Sequence, residues 1–242
     1  MKVGLFNTCL VDGLFPKVGD SMVQLLRRLD VDVDVPGQQT CCGQMHINAG
    51  YASMALPLIA NQVRAFRRYD AVVAPSASCV GSVRHQYEDI ARDGGDADLL
   101  EGVIELSRKT YELSEFLIDV VGVTDVGAYF PHRVTYHPTC HSLRVLRVAD
   151  RPRRLLEAVE GIDLVALSNA DSCCGFGGTF ALKNSDVSGA MLADKLDNVR
   201  HTGAEIVTAA DSSCLMQIAG GLAKAGDRTR PMHLAEILAS TR

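Results

Sequence analysis

The sequence predicts an α/β protein made of two pseudo-symmetric repeats, each with a small, mostly parallel sheet flanked by helices. One observation behind this prediction is the rare tripeptide Cys-Cys-Gly, which occurs twice, at residues 41–43 and 173–175. A second is that strand-like and helix-like segments follow the same order around both copies, and such alternation favours parallel sheets with right-handed crossovers. We place the repeats at residues 1–127 and 128–242.

All eight cysteines lie in matching register around the two copies of the tripeptide. The upstream cysteine precedes each Cys-Cys pair by 32 or 33 positions, and the downstream cysteine follows it by 37 or 40. Random scatter would hardly produce this register. The cysteines therefore form a first quartet, Cys9, Cys41, Cys42 and Cys79, and a second quartet, Cys140, Cys173, Cys174 and Cys214.

The first repeat alternates between segments with strand and helix patterns. Its predicted strands are apolar or alternate at period two, whereas its helices carry apolar residues three and four positions apart. Pro57 predicts a break or a new start within one of the helices. The predicted elements are a strand at residues 2–6, a helix at 18–29, a strand at 31–35, a helix at 52–69, a strand at 71–74 and a helix at 80–91.

The second repeat follows the same order after a joining region at residues 92–127, which contains one or two predicted helices within residues 99–121. A short final helix closes the chain. The predicted elements are a strand at residues 133–136, a helix at 153–159, a strand at 163–167, a helix at 188–202, a strand at 205–209 and a helix at 231–240.

The cysteines follow the predicted strands in both repeats. In open α/β sheets, ligand sites lie outside the carboxyl ends of the strands, because loops converge there and helix amino termini point into them. We therefore expect each quartet to be gathered from three different loops into a metal site at the carboxyl ends of the strands.

Composition and charge exclude several classes of function. Hydrophobic residues make up 47% of the chain and charged residues 22%, which is typical of a soluble globular protein. A formal net charge of −5 argues against a nucleic-acid partner. No apolar run reaches the roughly 18 residues of a transmembrane segment, and the amino terminus lacks the pattern of a secretory signal. We therefore expect a cytoplasmic protein, in which cysteines act as metal ligands or redox groups rather than as structural disulfides.

Four thiolates suit either zinc or an iron–sulfur cluster. Structural zinc sites usually take cysteine pairs separated by two to four residues, and no pair in this chain has that spacing. Adjacent cysteines such as Cys41 and Cys42 can bind two different iron atoms of one cluster, which a single zinc ion does not offer. The pattern therefore favours an iron–sulfur cluster, with zinc as the alternative.

Glycines beside the cysteine pairs are candidate cofactor-binding residues. Gly43 and Gly175 give the backbone the freedom to turn so that both neighbouring thiols converge. Gly177 and Gly178 let the backbone approach a cluster and donate N–H groups to its sulfur atoms. The run at residues 175–178 resembles part of a dinucleotide-binding loop, but it lacks the third glycine and the later acidic residue.

Three histidines lie near the cysteines, and histidine can ligate metal or carry protons. We interpret His137 as the end of a strand and His141 as the cap of the next helix. His46 and His141 remain candidates for groups that contact the ligands. No Ser-His-Asp set, paired carboxylates or flavin site stands out, so no catalytic residue is assigned.

The spacing Cys-x₃₁-Cys-Cys-Gly-x₃₅-Cys in the first repeat, and its echo in the second, resembles the cysteine-rich CCG domain. This domain occurs in the CCG-containing component of heterodisulfide reductase, the glycolate oxidase iron–sulfur subunit and the lactate-utilisation protein A family. The chain resembles the last most. That resemblance covers essentially the whole chain and is carried by residues 6–12, 41–44, 75–79, 173–180 and 214–216.

The resemblance implies an iron–sulfur electron-transfer subunit, non-catalytic or partly catalytic, of a complex that oxidises L-lactate or a similar 2-hydroxy acid to the 2-oxo acid. Its partners would be other iron–sulfur subunits. In heterodisulfide reductase the motifs hold non-cubane clusters with five cysteines each, but here Ser76 and Asp211 stand where the fifth cysteine would be. A four-cysteine [4Fe–4S] centre, or one with an oxygen ligand from Ser76, Asp211 or Ser212, fits better.

Two other functions remain open. The thiols could act directly in disulfide or heterodisulfide reduction, or the quartets could hold zinc in a structural subunit.

Overall fold

A computed structural model describes all residues from 1 to 242, and the chain divides into two compact units, Met1–Phe116 and Leu117–Arg242. Each unit contains one four-stranded sheet in which every neighbouring pair of strands is parallel. The predicted class, α/β with two similar repeats, is confirmed. No helix is both long and apolar enough to cross a bilayer.

The sheet of the first unit has the strand order β2-β1-β3-β4. Gly4 in the second of these strands pairs with Asp34 on one side and Val72 on the other. All residues of β3 are buried, as expected for a central parallel strand covered on both faces. The strands are β1 (Lys2–Leu5), β2 (Asp32–Asp34), β3 (Ala71–Ala74) and β4 (Thr110–Glu112).

The longer helices of the first unit, such as α2, bury one apolar face. Val18, Met22 and Leu25 lie along the buried face of the second helix, which starts at Pro16, where the missing N–H of proline costs no intrahelical hydrogen bond. The helices are α1 (Cys9–Leu14), α2 (Pro16–Arg28), α3 (Gln44–Asn48), a 3₁₀ helix (Ala52–Ala55), α4 (Leu56–Phe66), α5 (Ala77–His85), α6 (Tyr87–Asp93), α7 (Ala97–Arg108) and α8 (Leu113–Glu115).

Three details of the first unit bear on the sequence prediction. The predicted helix at residues 80–91 is two helices, α5 and α6, separated at Gln86. The break at Pro57 is present, because the 3₁₀ helix ends and α4 begins there. The region predicted as helical between residues 99 and 121 contains the short strand β4. Three residues of ordinary composition give no sequence pattern from which a strand could be predicted.

Glu112 ends β4 and is fully buried. One carboxylate oxygen accepts hydrogen bonds from the backbone and hydroxyl of Ser114, and the other has no hydrogen-bond partner. Burial raises the pKa of this carboxyl from 4.5 to about 7. Below the unfolded pKa both states are protonated. As pH rises towards about 7, only the unfolded chain loses the proton, so the folded state is weakened.

We expect Glu112→Gln, which stays neutral, to remove this loss. Between about pH 5.5 and about pH 8 the variant should gain about 2 kcal/mol of unfolding free energy relative to the parent chain. Urea unfolding at both pH values measures the difference. The exposed Glu101→Gln should not change the pH dependence, and an equal pH dependence in Glu112→Gln and the parent chain would contradict the assignment.

The sheet of the second unit has the order β6-β5-β7-β8, so its strands occupy the same relative places as those of the first. Val134 pairs with Leu164 on one side and Ile206 on the other. The strands are β5 (Arg133–Tyr136), β6 (Asp163–Val165), β7 (Ile206–Ala209) and β8 (Arg230–His233).

The predicted final helix at residues 231–240 is partly wrong, because its first residues form β8 and only Leu234–Ala239 is helical. Pro231 lies in an edge strand, the place in a sheet where proline is tolerated. The helices of this unit are a π-helical turn (His141–Leu146), α9 (Arg151–Glu157), α10 (Phe180–Lys183), α11 (Ser185–His201), α12 (Ser212–Lys224) and α13 (Leu234–Ala239), and a further π-helical turn (Phe116–Val121) joins the units.

Candidate metal centres

The first quartet is assembled from three segments beyond the carboxyl ends of strands. Cys9 is the first residue of α1, which follows β1. Cys41 and Cys42 lie in the loop between β2 and α3, and Cys79 lies in the first turn of α5, which follows β3. Cys9 and Cys79 were predicted in loops; they lie instead in the first turns of α1 and α5.

The four thiols of the first quartet are in contact. The Sγ atoms of Cys42 and Cys79 are 3.4 Å apart, and the thiol of Cys41 interacts by hydrogen bonding with those of Cys42 and Cys9. The N–H of Gly43 donates to Sγ of Cys41 at 3.4 Å. Cys42 and Cys79 are buried, whereas Cys9 is exposed.

The second quartet repeats this arrangement. Cys140 follows β5, Cys173 and Cys174 lie in the loop after β6, and Cys214 lies in the first turn of α12, after β7. Hydrogen-bonding contacts link the thiol of Cys173 with those of Cys140 and Cys174, and the thiol of Cys174 with that of Cys214. The N–H of Gly175 donates to Sγ of Cys173 at 3.3 Å.

Glycine is required after each cysteine pair. Gly43 and Gly175 have φ values of 79° and 86°, in the left-handed region that favours glycine. A Cβ at Gly175 would lie 2.5 Å from the carbonyl oxygen of Ser188. Gly177 and Gly178 also have positive φ, at 53° and 65°. The backbone of all four candidate glycines is thus bent where the chain passes the thiols.

Each quartet favours one thiolate and resists the ionisation of the two thiols hydrogen-bonded to it. Hydrogen bonds from Cys42 and Cys9 hold the pKa of the Cys41 thiol far below its usual range. Hydrogen bonds from Cys140 and Cys174 do the same to the pKa of Cys173. In the first quartet the pKa of the Cys42 thiol is raised, because this thiol shares its proton with the thiolate of Cys41 and because it is buried.

This donor set fits a thiophilic cation or an iron–sulfur cluster. Metal binding replaces thiol protons, and the positive charge of the bound group offsets the repulsion between neighbouring thiolates. Sulfur ligands select zinc, copper(I) or iron–sulfur clusters over magnesium and calcium. The clustered cysteines therefore support metal binding, and the residues fit zinc as well as iron.

Oxygen donors lie beside the downstream cysteine of each quartet. Ser76 caps α5 and accepts from the N–H of Cys79 at 3.2 Å. Asp211 caps α12 and accepts from the N–H of Ser213 at 3.1 Å. The buried hydroxyl oxygen of Ser212 has no hydrogen-bond partner.

His141 is the first residue of its helical turn rather than the cap, which is Cys140, and His137 has surroundings different from those expected. His141 Nδ1 lies 3.7 Å from Sγ of Cys140, and the charge of His46 lowers the pKa of Cys41, so both lie beside ligand candidates. His137 does more than end a strand. One of its ring nitrogens and the Sγ atoms of Cys174 and Cys214 all lie within 4.8 Å of one another.

The helix that follows each cysteine pair supplies a buried polar side chain. Gln62 of α4 donates to the carbonyl oxygen of Thr40, just before the first pair. Lys195 of α11 donates to the carbonyl oxygens of Asn169 and Ala170 at 3.0 and 3.3 Å, just before the second pair. In both units a buried side chain thus donates hydrogen bonds to the loop that carries the cysteine pair, but only in the second unit is that side chain a lysine.

Sequence reasoning missed Lys195 and the nearness of His137, correctly placed at the end of a strand, to Cys174 and Cys214. Lys195 falls 21 residues after Cys174, and Gln62 falls 20 residues after Cys42, so comparing one repeat with the other would have exposed the substitution. The same comparison places His137 opposite Phe6, three residues before the upstream cysteine in each repeat.

The fold and the two quartets define a duplicated cysteine-rich α/β protein. The sequence model of the CCG cysteine-rich domain matches residues 3–84 and 134–219. Lactate utilization protein A of Oceanobacillus iheyensis is 45% identical over 238 residues, which cover 98% of this chain and 96% of that protein. Lactate utilization protein A of Geobacillus kaustophilus is also 45% identical, over 98% of both chains. The chain therefore belongs to the Lactate utilization protein A family of CCG-domain proteins.

Proposed function

We propose that the chain is an iron–sulfur electron-transfer subunit of a system that oxidises L-lactate, or a similar 2-hydroxy acid, to the 2-oxo acid. The observation that carries the proposal is the pair of contacting thiol quartets, present in a chain whose relatives are named for lactate utilization. Oxidation of a 2-hydroxy acid releases two electrons and two protons, and an iron–sulfur centre, when bound, supplies one-electron oxidation and reduction.

In this proposal each repeat, residues 1–127 and 128–242, holds one centre through its own four cysteines. The adjacent cysteines of each pair support iron over zinc, because they can ligate two different iron atoms. The N–H groups of Gly43 and Gly175, already directed at sulfur, would stabilise the added electron on a reduced centre.

Exposed apolar side chains on the elements that follow the cysteines support docking of partner iron–sulfur subunits. In the first unit Leu14 ends α1, and Met45 lies in α3. In the second unit Leu182 of α10 is 84% exposed, and Val187 of α11 is also exposed. Apolar side chains placed beside a redox centre suit a partner that must approach it closely.

Lys195 provides a prediction on the second centre. Because a nearby cation favours the reduced, more negative form, Lys195→Gln should lower the reduction potential of the second centre by on the order of tens of millivolts. Potentiometric titration followed by electron paramagnetic resonance measures this change. The exposed Lys224→Gln should leave both potentials unchanged, and an unchanged potential in Lys195→Gln would contradict the prediction.

Two experiments test the proposed function. Chain purified without oxygen should be coloured, bleach with dithionite and regain its colour on reoxidation, whereas a colourless zinc protein would refute the iron–sulfur part. In the source organism, deletion of the gene should abolish growth on L-lactate but not on pyruvate. Restoration of that growth by a chain with Cys42→Ser and Cys174→Ser would refute the need for the quartets.

A further inference from the structure

His137 stands apart from its counterpart in the first repeat. Its backbone N–H donates to the carbonyl oxygen of Thr208 at 2.8 Å, and Phe6 makes the same bond to Val73 at 2.8 Å. The two residues therefore occupy equivalent positions at the end of the first strand of each unit. Both side chains are about 1% exposed, but one is an apolar ring and the other an imidazole.

The imidazole of His137 lacks the hydrogen bonds that a buried polar group requires. Neither ring nitrogen has a partner of normal geometry, although interaction with the backbone at Ala170 opposes the lowering of its pKa. A buried imidazole without partners destabilises the fold, because its nitrogens lose their hydrogen bonds to water and gain none in return. The cost implies that the ring has a partner in the working protein.

The thiols of Cys174 and Cys214 identify what that partner is. Donor atoms on one tetrahedral ion lie about 3.5–3.8 Å apart when the metal–nitrogen bond is about 2.0 Å and the metal–sulfur bond about 2.3 Å. The ring nitrogen and these two Sγ atoms, all within 4.8 Å of one another, approach that separation.

We propose that His137 is a nitrogen ligand of the second metal centre, which is therefore held by sulfur and nitrogen, whereas the first centre has Phe6 at this position and is held by cysteines. This inference rests on the proposed function only in requiring that the second quartet bind metal.

X-ray absorption at the edge of the bound metal tests the proposal, because imidazole gives a distinct scattering signature. The full chain with Cys42→Ser retains the second centre and should show imidazole scattering beside sulfur. The full chain with Cys174→Ser retains the first centre and should show sulfur without imidazole. The double variant Cys42→Ser with His137→Phe, which copies Phe6, should lack the imidazole signal. The double variant Cys42→Ser with His137→Cys should regain the metal content but should still lack the imidazole signal.

The outcomes separate this inference from the proposed function. Iron at the second centre without imidazole scattering overturns the histidine ligand and leaves the iron–sulfur proposal standing. Zinc with imidazole scattering overturns the iron–sulfur proposal and supports the histidine ligand. A chain that holds neither metal overturns both. Should His137→Phe fail to fold, absence of the imidazole signal in the chain with Cys42→Ser still decides against the proposal.

Discussion

Replacing Cys42 with serine should remove the first centre and about half of the bound iron, and Cys174→Ser should remove the second. Each residue contributes a buried thiol at the middle of its quartet, in contact with two other thiols. Serine keeps the size of the side chain but offers a hard oxygen that iron–sulfur clusters accept poorly. Iron and acid-labile sulfide analysis of anaerobically purified chain gives the result directly.

The two variants control for each other, because a change that only reduced folding or yield would affect both centres together. Electron paramagnetic resonance of the reduced proteins should show the signal of the remaining centre in each variant, and the two signals should sum to that of the parent chain. Iron content unchanged in both variants would rule out ligation by the quartets.

Among glycine-to-alanine substitutions near the second quartet, Gly175→Ala should cause the largest loss of stability and of bound metal. Its φ of 86° is strained for alanine by roughly 1–2 kcal/mol. The new Cβ would also lie 2.5 Å from the backbone oxygen of Ser188, which cannot move without displacing α11. We expect at least about 2 kcal/mol of lost stability in the second unit and loss of its metal.

Gly203→Ala is the matched control, since its φ is 62° but no atom lies within 4 Å of the added Cβ. That variant should lose only about 1 kcal/mol and keep both centres. Urea unfolding with metal analysis on the same samples compares them. Equal stability and metal content in the two variants would show that the contact with Ser188 is not decisive.

The sequence predicted the strands that carry the site better than the edges of the sheets. The predicted strand at residues 133–136 is confirmed residue for residue as β5, because β-branched and aromatic residues favour strands. β4 and β8 were missed because each runs directly into a helix, so the local pattern resembles the start of that helix, and the strands form by pairing with a neighbour.

The cysteines could be grouped from spacing alone, but their surroundings could not. Lys195 lies in a helix of mixed composition, and only the folded chain places its ammonium group against the carbonyls of the second cysteine loop. His137 precedes a proline, a local pattern that suits the end of a strand equally well. Its nearness to Cys174 and Cys214 depends on three strands meeting at one sheet edge, which is a tertiary property.

The most direct test of the account is analysis of iron, acid-labile sulfide and zinc in the full chain purified without oxygen. The account predicts about four to eight irons per chain, matched by sulfide, with little zinc. One or two zinc ions per chain, with no iron and no sulfide, would contradict it and make the quartets structural.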